Sequence, residues 1–180
     1  MNTFGKLREI ENSELEMIRS WRNAPEVRSK MYTQHEITSE EHQLWWSSVS
    51  VREDQAYFIY ENSGVPLGVV SFTQMDKVSA NCSWAFYSKP NAPKGSGSRM
   101  EYLALSRAFQ EYNFHKLSCE VLDFNTAVIR LHKKFGFREE GVFREHHNID
   151  GKYVDIVRLG LLSSEWDAAR DELKAALLAH

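Results

Sequence analysis

The sequence predicts one α/β domain built on a mixed, mostly antiparallel sheet. Three observations point there. The 180-residue length suits a single core spanning residues 1–180. Short alternating apolar runs come in pairs across hairpin turns, both early and late in the chain. In the middle, amphipathic helical stretches separate strands as crossover connections do. The expected order is β–α–α–β–β–β–α–β–α–β–β–α, with no repeat or linker to divide it.

Phe4 to Glu11 can form a short first strand. Asn12-Ser13-Glu14 reads as a helix start, and Leu15, Ile18 and Trp21 follow at helical spacing. Asn23-Ala24-Pro25 ends or bends that helix, because a residue before proline avoids the α region. Thr38-Ser39-Glu40-Glu41 is a second start signal, and Leu44, Trp45 and Val49 are expected on one face of the helix after it. Residues 56–60 read as a strand, Asn62-Ser63-Gly64 as a turn, and residues 67–73 as the returning strand. Residues 80–87 alternate as a fourth strand. A loop rich in Pro, Gly and Ser then opens a long helix with Tyr102, Leu103, Leu105, Ala108 and Phe109 on its apolar face. Residues 117–122 form a strand, and residues 126–135 a helix that stops at Gly136. Two strands, 138–146 and 153–162, join at Asp150-Gly151, a strong hairpin dipeptide. Ser163-Ser164-Glu165 caps a last helix that runs to the C-terminus.

Composition narrows the function classes. The net charge is −3, and no basic run exceeds Lys133-Lys134, which argues against a nucleic-acid partner. Met1 to Lys6 lacks a signal-peptide h-region, and no apolar run approaches the roughly 18 residues of a membrane span. Cys82 and Cys119 lack metal or CxxC spacing and read as reduced, buried thiols. A cytoplasmic protein without membrane contact is expected. His146 and His147 are neighbours on a strand and face opposite ways, so no metal site is expected. Dinucleotide and P-loop signatures are absent.

The informative stretch is Trp84-Ala85-Phe86-Tyr87 through Lys94-Gly95-Ser96-Gly97-Ser98-Arg99. A strand ends, a loop with two glycines follows, and a helix begins. Glycine lets backbone N–H groups approach an anion closely. The first helical turn leaves its N–H groups free, and its dipole favours negative charge, so a pyrophosphate fits there. Alone, Gly-x-Gly before a helix is weak evidence, since a plain turn into a helix looks the same. A second segment downstream sharpens it: Asn125-Thr126-Ala127-Val128-Ile129-Arg130-Leu131-His132-Lys133-Lys134-Phe135-Gly136-Phe137.

Together these segments resemble the GNAT acetyltransferases. That family has Gly-x-Gly at the helix start after the fourth strand, then Asn-x-x-Ala-x-x-Leu-Tyr-x-x-x-Gly-Phe after the fifth. The resemblance implies helices on both faces of the sheet and a V-shaped split between strands 4 and 5 that holds acetyl-CoA as acetyl donor. It places the backbone of Trp84, Ala85 and Phe86 along the pantetheine arm, Lys94 to Arg99 on the pyrophosphate, and Asn125 and Lys134 near the thiol half and phosphates. Two positions depart from the pattern. Ala92 stands where Gln or Arg is common, and His132 stands at the tyrosine position. That tyrosine is usually given the role of general acid toward the leaving thiolate. A histidine can donate a proton there too, although a lone histidine on such a helix also serves as an ordinary polar residue. Glu120, a carboxylate inside the apolar run 117–122, is the candidate to orient the amine or collect its proton; simple alternation onto a solvated face would also place it there.

Within the family, Trp21 to Arg28, Met31-Tyr32-Thr33, Ile37 to His42, Leu131 to Phe137 and Gly141 to His146 resemble one branch. That branch acetylates the C4 amine of UDP-4-amino-4,6-dideoxy-N-acetyl-β-L-altrosamine in bacterial pseudaminic acid biosynthesis, by direct transfer, for flagellin glycosylation. The resemblance implies a UDP-aminosugar partner, and a homodimer is compatible with it. Arg22 and His42 offer donors to a diphosphate, as does Thr73; Tyr87 offers a ring to uracil; Met31, Tyr32 and Trp45 offer an apolar wall to the 6-deoxy methyl. Ordinary core packing for Met31 and Trp45, and a surface ion pair for Arg22, stay open. A ribosomal-protein N-terminal acetyltransferase, a polyamine acetyltransferase and a non-catalytic acyl-CoA-binding sensor are the alternatives.

Overall fold

A computed structural model of the chain describes residues 4–179. Met1 to Thr3, part of the leader reading, and His180, at the expected end of the last helix, lie outside the described residues. Among the described residues, seven strands form one sheet: β1 (Lys6–Glu9), β2 (Ala56–Asn62), β3 (Val65–Asp76), β4 (Asn81–Ser88), β5 (Lys116–Leu122), β6 (Arg138–Ile149) and β7 (Lys152–Leu162). Their order is β1-β2-β3-β4-β5-β7-β6. Every pairing is antiparallel except β4 with β5. The helices are α1 (Leu15–Asn23), α2 (Pro25–Arg28), α3 (Ser39–Val49), α4 (Ser96–Ser106), α5 (Thr126–Lys134) and α6 (Ser163–Leu178). Among the described residues, no helix is long and apolar enough to cross a membrane.

The predicted mixed sheet is therefore present, and hydrophobic patterning explains its layers. Successive side chains of β2 point to opposite faces, and Phe58, Ile59 and Tyr60 are all buried. Phe58 and Tyr60 join Phe72, Trp84 and Leu117 against Met100, Ala104 and Leu105 of α4 and Trp166 of α6. Ile59 and Val69 face the other way, onto Ile18 and Trp21 of α1. A fully buried aromatic of this kind costs about 3–5 kcal/mol when truncated to alanine, so the layers are firmly held. Gly68 of β3 has no room for a side chain: a Cβ there would lie 2.6 Å from both Met100 Sδ and the Tyr87 carbonyl. The β6–β7 hairpin turns at Asp150 and Gly151, with φ of 50° and 85°, the left-handed pair that a two-residue hairpin demands.

The expected end of the first helix at Asn23-Ala24-Pro25 is met, and two other local expectations change. The Ala24 backbone is extended (ψ 133°), which separates α1 from a short α2 that Pro25 begins. On α3 the buried residues are His42 and Val49, whereas Leu44 is 65% exposed. Positions 42, 45 and 49 share a helical stripe, and position 44 lies outside it. After Ser106, α4 continues into a π-helical turn, Arg107–Glu111, where Arg107 lies 4.4 Å above the Phe58 ring.

Candidate active site

β4 and β5 pair through three positions only: Asn81 with Lys116, Cys82 with Leu117, and Ser83 with Ser118. Beyond them, Trp84 to Ser88 stay bonded to β3, and Cys119 to Leu122 stay bonded to β7. The sheet thus opens into the expected split, with backbone polar groups of β4 turned toward it and no ladder partner across it. A cavity of about 360 Å³ fills the wedge. Trp84 to Asn91, Cys119 to Val121, Asn125, Val128 and His132 line it, with Lys30 and Met31 closing one side.

At one end of the split, Gly95 caps α4 with φ 83°, a conformation that favours glycine. The first turn of α4 carries no acidic residue; its Ser96 N–H donates to the Pro93 carbonyl at 3.1 Å, which leaves the Gly97 and Ser98 N–H groups without a backbone partner among the described residues. Ser96 is buried and donates to the Pro93 carbonyl at 2.7 Å. Arg99 reaches back to the Lys94 carbonyl at 3.5 Å, while Lys94 is exposed and Ser98 half-buried. A Cβ at Gly97 would meet Leu131 at 3.5 Å and Phe86 at 3.7 Å, so the side-chain position of this glycine faces the packing of α5 and β4. Asn125 caps α5 through its backbone carbonyl, and Lys134 is exposed at the far end of that helix, outside the cavity lining.

His132 lies at the floor of the split and is 3% exposed. Its ring is boxed by Trp84 at 5.3 Å, Phe86 at 5.9 Å and Phe137 at 5.2 Å. Its Nδ1 sits 2.9 Å from Oε1 of Glu101, a residue of α4 with no exposed surface. The second Glu101 oxygen, Oε2, is buried and has no hydrogen-bond partner among the described residues. Burial pushes the Glu101 carboxyl above the usual carboxylate range, and the bond to His132 pulls the other way. Removing one member of such a buried pair costs about 3–5 kcal/mol, so the two are bound to act together.

Glu120 is exposed on β5 and held from two sides. Tyr32 Oη donates to Oε2 at 3.0 Å, and Arg158 Nη1, directly across on β7, donates to Oε1 at 2.9 Å. Arg158 Nη2 also reaches Ser118 Oγ at 3.3 Å. Burial and Glu120 together push the Tyr32 hydroxyl up. The loop that carries Tyr32 is latched again by His147, whose Nε2 is 3.0 Å from the Tyr32 carbonyl oxygen. Cys119, beside Glu120, is buried, and that burial raises its thiol well above the ordinary value; the Cys82 thiol is pushed up to about 12.

A second cavity, of about 400 Å³, lies against α1, α3 and the same face of β3 and β4. Arg22, Met31, His42, Trp45 and Tyr87 all line it, with Tyr57 and Ser71. Arg22 Nη2 donates to the Thr33 carbonyl at 3.3 Å, but its buried Nη1 has no partner. A buried donor left unsatisfied costs about 1–3 kcal/mol, and more when charged. Burial lowers the pKa of Arg22 and, with Arg19, that of His42. Trp45 meets Tyr57 edge-on at 5.1 Å and His42 at 5.0 Å. Met31, Ala85, Phe86 and Tyr87 line both cavities, so the two meet at a common wall. Tyr32 and Thr73 line neither; Thr73 sits farther along β3, opposite Ser83.

Sequence reasoning missed Glu101 and Arg158. Glu101 had a signal, because an acid at 101 shares the helical stripe of Ala104, Leu105 and Ala108. Arg158 had none, since its place opposite Glu120 depends on strand register.

Residues 7–157 match the family described as the acetyltransferase (GNAT) domain. Acetyltransferase PseH of Campylobacter jejuni subsp. jejuni serotype O:23/36 is 26% identical over 151 residues, which span 84% of this chain and 94% of that protein. The spermidine N(1)-acetyltransferase of Vibrio cholerae serotype O1 is 23% identical over 168 residues, spanning 92% and 97%. A crystal structure of spermidine N-acetyltransferase from Vibrio cholerae, in complex with CoA and spermine, aligns with a TM-score of 0.85 at 23% identity, covering 92% of this chain and 99% of that one. The sheet order, the split and the matched span agree, and the chain belongs to the GNAT acetyltransferase family.

Proposed function

We propose that this acetyltransferase moves an acetyl group from acetyl-CoA to the C4 amine of a UDP-4-amino-sugar, of the type that leads to pseudaminic acid. The observation that carries the choice of acceptor is Arg22. Among the described residues, its buried Nη1 has no hydrogen-bond partner and Arg22 forms no ion pair with a carboxylate. A polyamine is a cation and would add charge of the same sign. A diphosphate brings acceptor oxygens that a guanidinium binds in bidentate fashion. Trp45, Tyr57 and Tyr87 add flat surfaces for a base and a sugar face.

The donor reading rests on the free β4 edge at the split and on the helix start at Gly95. Bound there, the thioester supplies an acyl group already activated for transfer. The chain's part is to orient the amine and manage protons. Both oxygens of Glu120 are engaged by Tyr32 and Arg158, which fits a positioner of the amine better than a free base. His132 lines the split and is our candidate to return a proton to the leaving thiolate.

Likeness to spermidine acetyltransferases supports a second reading, for which Glu26 and Glu120 on the split and Glu41 on the second cavity would be the acidic groups. A thiol-release assay with acetyl-CoA separates the readings. The expected acceptor is the UDP-4-amino-sugar, with Arg22→Ala raising its KM about tenfold or more. Turnover of spermidine or of a ribosomal N-terminal peptide alone would overturn the proposal, and acetyl-CoA binding without any turnover would favour a sensor.

A further inference from the structure

The buried contact between Glu101 and His132 joins two titratable side chains that, among the described residues, have no other ion-pair partner. The imidazole is walled by Trp84 and Phe86 from β4 and by Phe137 after α5. α4 contributes Glu101, and β5 contributes Cys119, whose thiol burial keeps protonated. Lys133 and Lys134 of α5 are exposed. Within this cage the carboxyl has one partner, His132 Nδ1 at 2.9 Å, and Oε2 has none.

An uncompensated charge in such a cage is costly, so the pair is held at net zero charge. Net zero can be written in two ways: a carboxylic acid donating to a neutral ring, or a carboxylate beside an imidazolium. Both contain the same number of protons, and both leave a proton on Nε2. Among the described residues Nε2 has no partner, and His132 lines the cleft. We propose that Glu101 is a positioning residue that banks a proton for His132, so that the pair presents an Nε2–H donor to the split wherever their shared proton sits. This rests on the reading of His132 as the acid.

The step balances. The amine nitrogen bonds to the acyl carbon and the carbon–sulfur bond breaks, its electron pair going to sulfur. Sulfur takes the Nε2 proton while the shared proton ends on Nδ1, leaving a carboxylate beside a neutral ring. The new amide nitrogen releases its extra proton to water, and water returns one to the pair. A lone neutral histidine could not do this, because losing the Nε2 proton would leave an imidazolate.

Glu101→Gln keeps the shape of the carboxyl but cannot supply that proton. Its kcat should fall about a hundredfold at neutral pH, as loss of a general acid does, while KM for acetyl-CoA changes by less than about threefold. The Gln variant can use only the imidazolium, so its kcat should fall as pH rises while wild-type kcat stays level. His132→Phe should match Glu101→Gln, and the double variant should be no worse than either. Kinetics can be read with whichever amine the panel shows to be turned over. Nitrogen-15 side-chain spectra of the wild-type chain need no acceptor, and a failed aminosugar assay leaves them valid. They should show a proton on His132 Nε2 at neutral pH. A bare Nε2 at neutral pH, additive losses, or parallel pH profiles for wild type and Glu101→Gln would each overturn the proposal.

Discussion

Cys119 borders the split next to Glu120, where an acyl-accepting thiol would have to stand for a two-step mechanism. Its environment speaks against that use. It is buried, and burial raises its thiol far above the ordinary value, so little thiolate exists at neutral pH. Cys119→Ala should therefore keep kcat within about threefold, and initial-rate lines should intersect as for direct transfer. A parallel-line pattern, or an acetylated Cys119 trapped by mass spectrometry, would reverse this. The same residue shows what sequence can and cannot convey. Its burial was legible in the apolar run Leu117 to Leu122. The influence of the Glu101 charge on it was not, because that interaction joins α4 to β5.

Helix α4 carries the segment on which the family resemblance turned, and its two glycines do different things. Gly95 has a positive φ that other residues rarely adopt. Gly97 lies in ordinary helix and faces Leu131 and Phe86 at contact distance. Gly97→Ala should thus fold and bind acetyl-CoA with affinity within about threefold. Gly97→Asp should unfold at a markedly lower temperature, since it drives a carboxylate into apolar packing. Calorimetry and a thermal scan on the two variants check this; equal loss of acetyl-CoA affinity in both, with unchanged melting, would show that the side-chain position of Gly97 faces the coenzyme instead. Most element positions were legible from turns and caps: Thr38 with Glu41 forms the expected capping box, and Asp150-Gly151 the expected hairpin. The orientation of α3 was not, because Leu44 and Trp45 look alike as apolar residues until a neighbour chooses between them. Nor does anything in Arg107 to Glu111 advertise a π-turn.

Taken whole, the sheet is two leaves, β1 to β4 and β5 to β7, joined by a parallel ladder of three residue pairs. A ligand that bonds to the free edge of β4 would stabilise the native form by about 2.7 kcal/mol at a hundred times its Kd. Acetyl-CoA should accordingly raise the melting temperature, and hydrogen exchange should slow most at Trp84 to Ser88 and at Gly95 to Arg99. Uniform protection, or protection confined to α6, would place the coenzyme elsewhere. The outline of this split was implied by the family resemblance that two motifs carry; its junction with the second cavity required the folded chain, since Met31 reaches it from the loop after α2. That junction has a consequence for thermodynamics. Because Met31, Ala85, Phe86 and Tyr87 bound both cavities, occupancy of one side sets the wall that the other side meets. Linkage makes such an influence mutual: by whatever factor the donor alters the acceptor's affinity, the acceptor alters the donor's by the same factor.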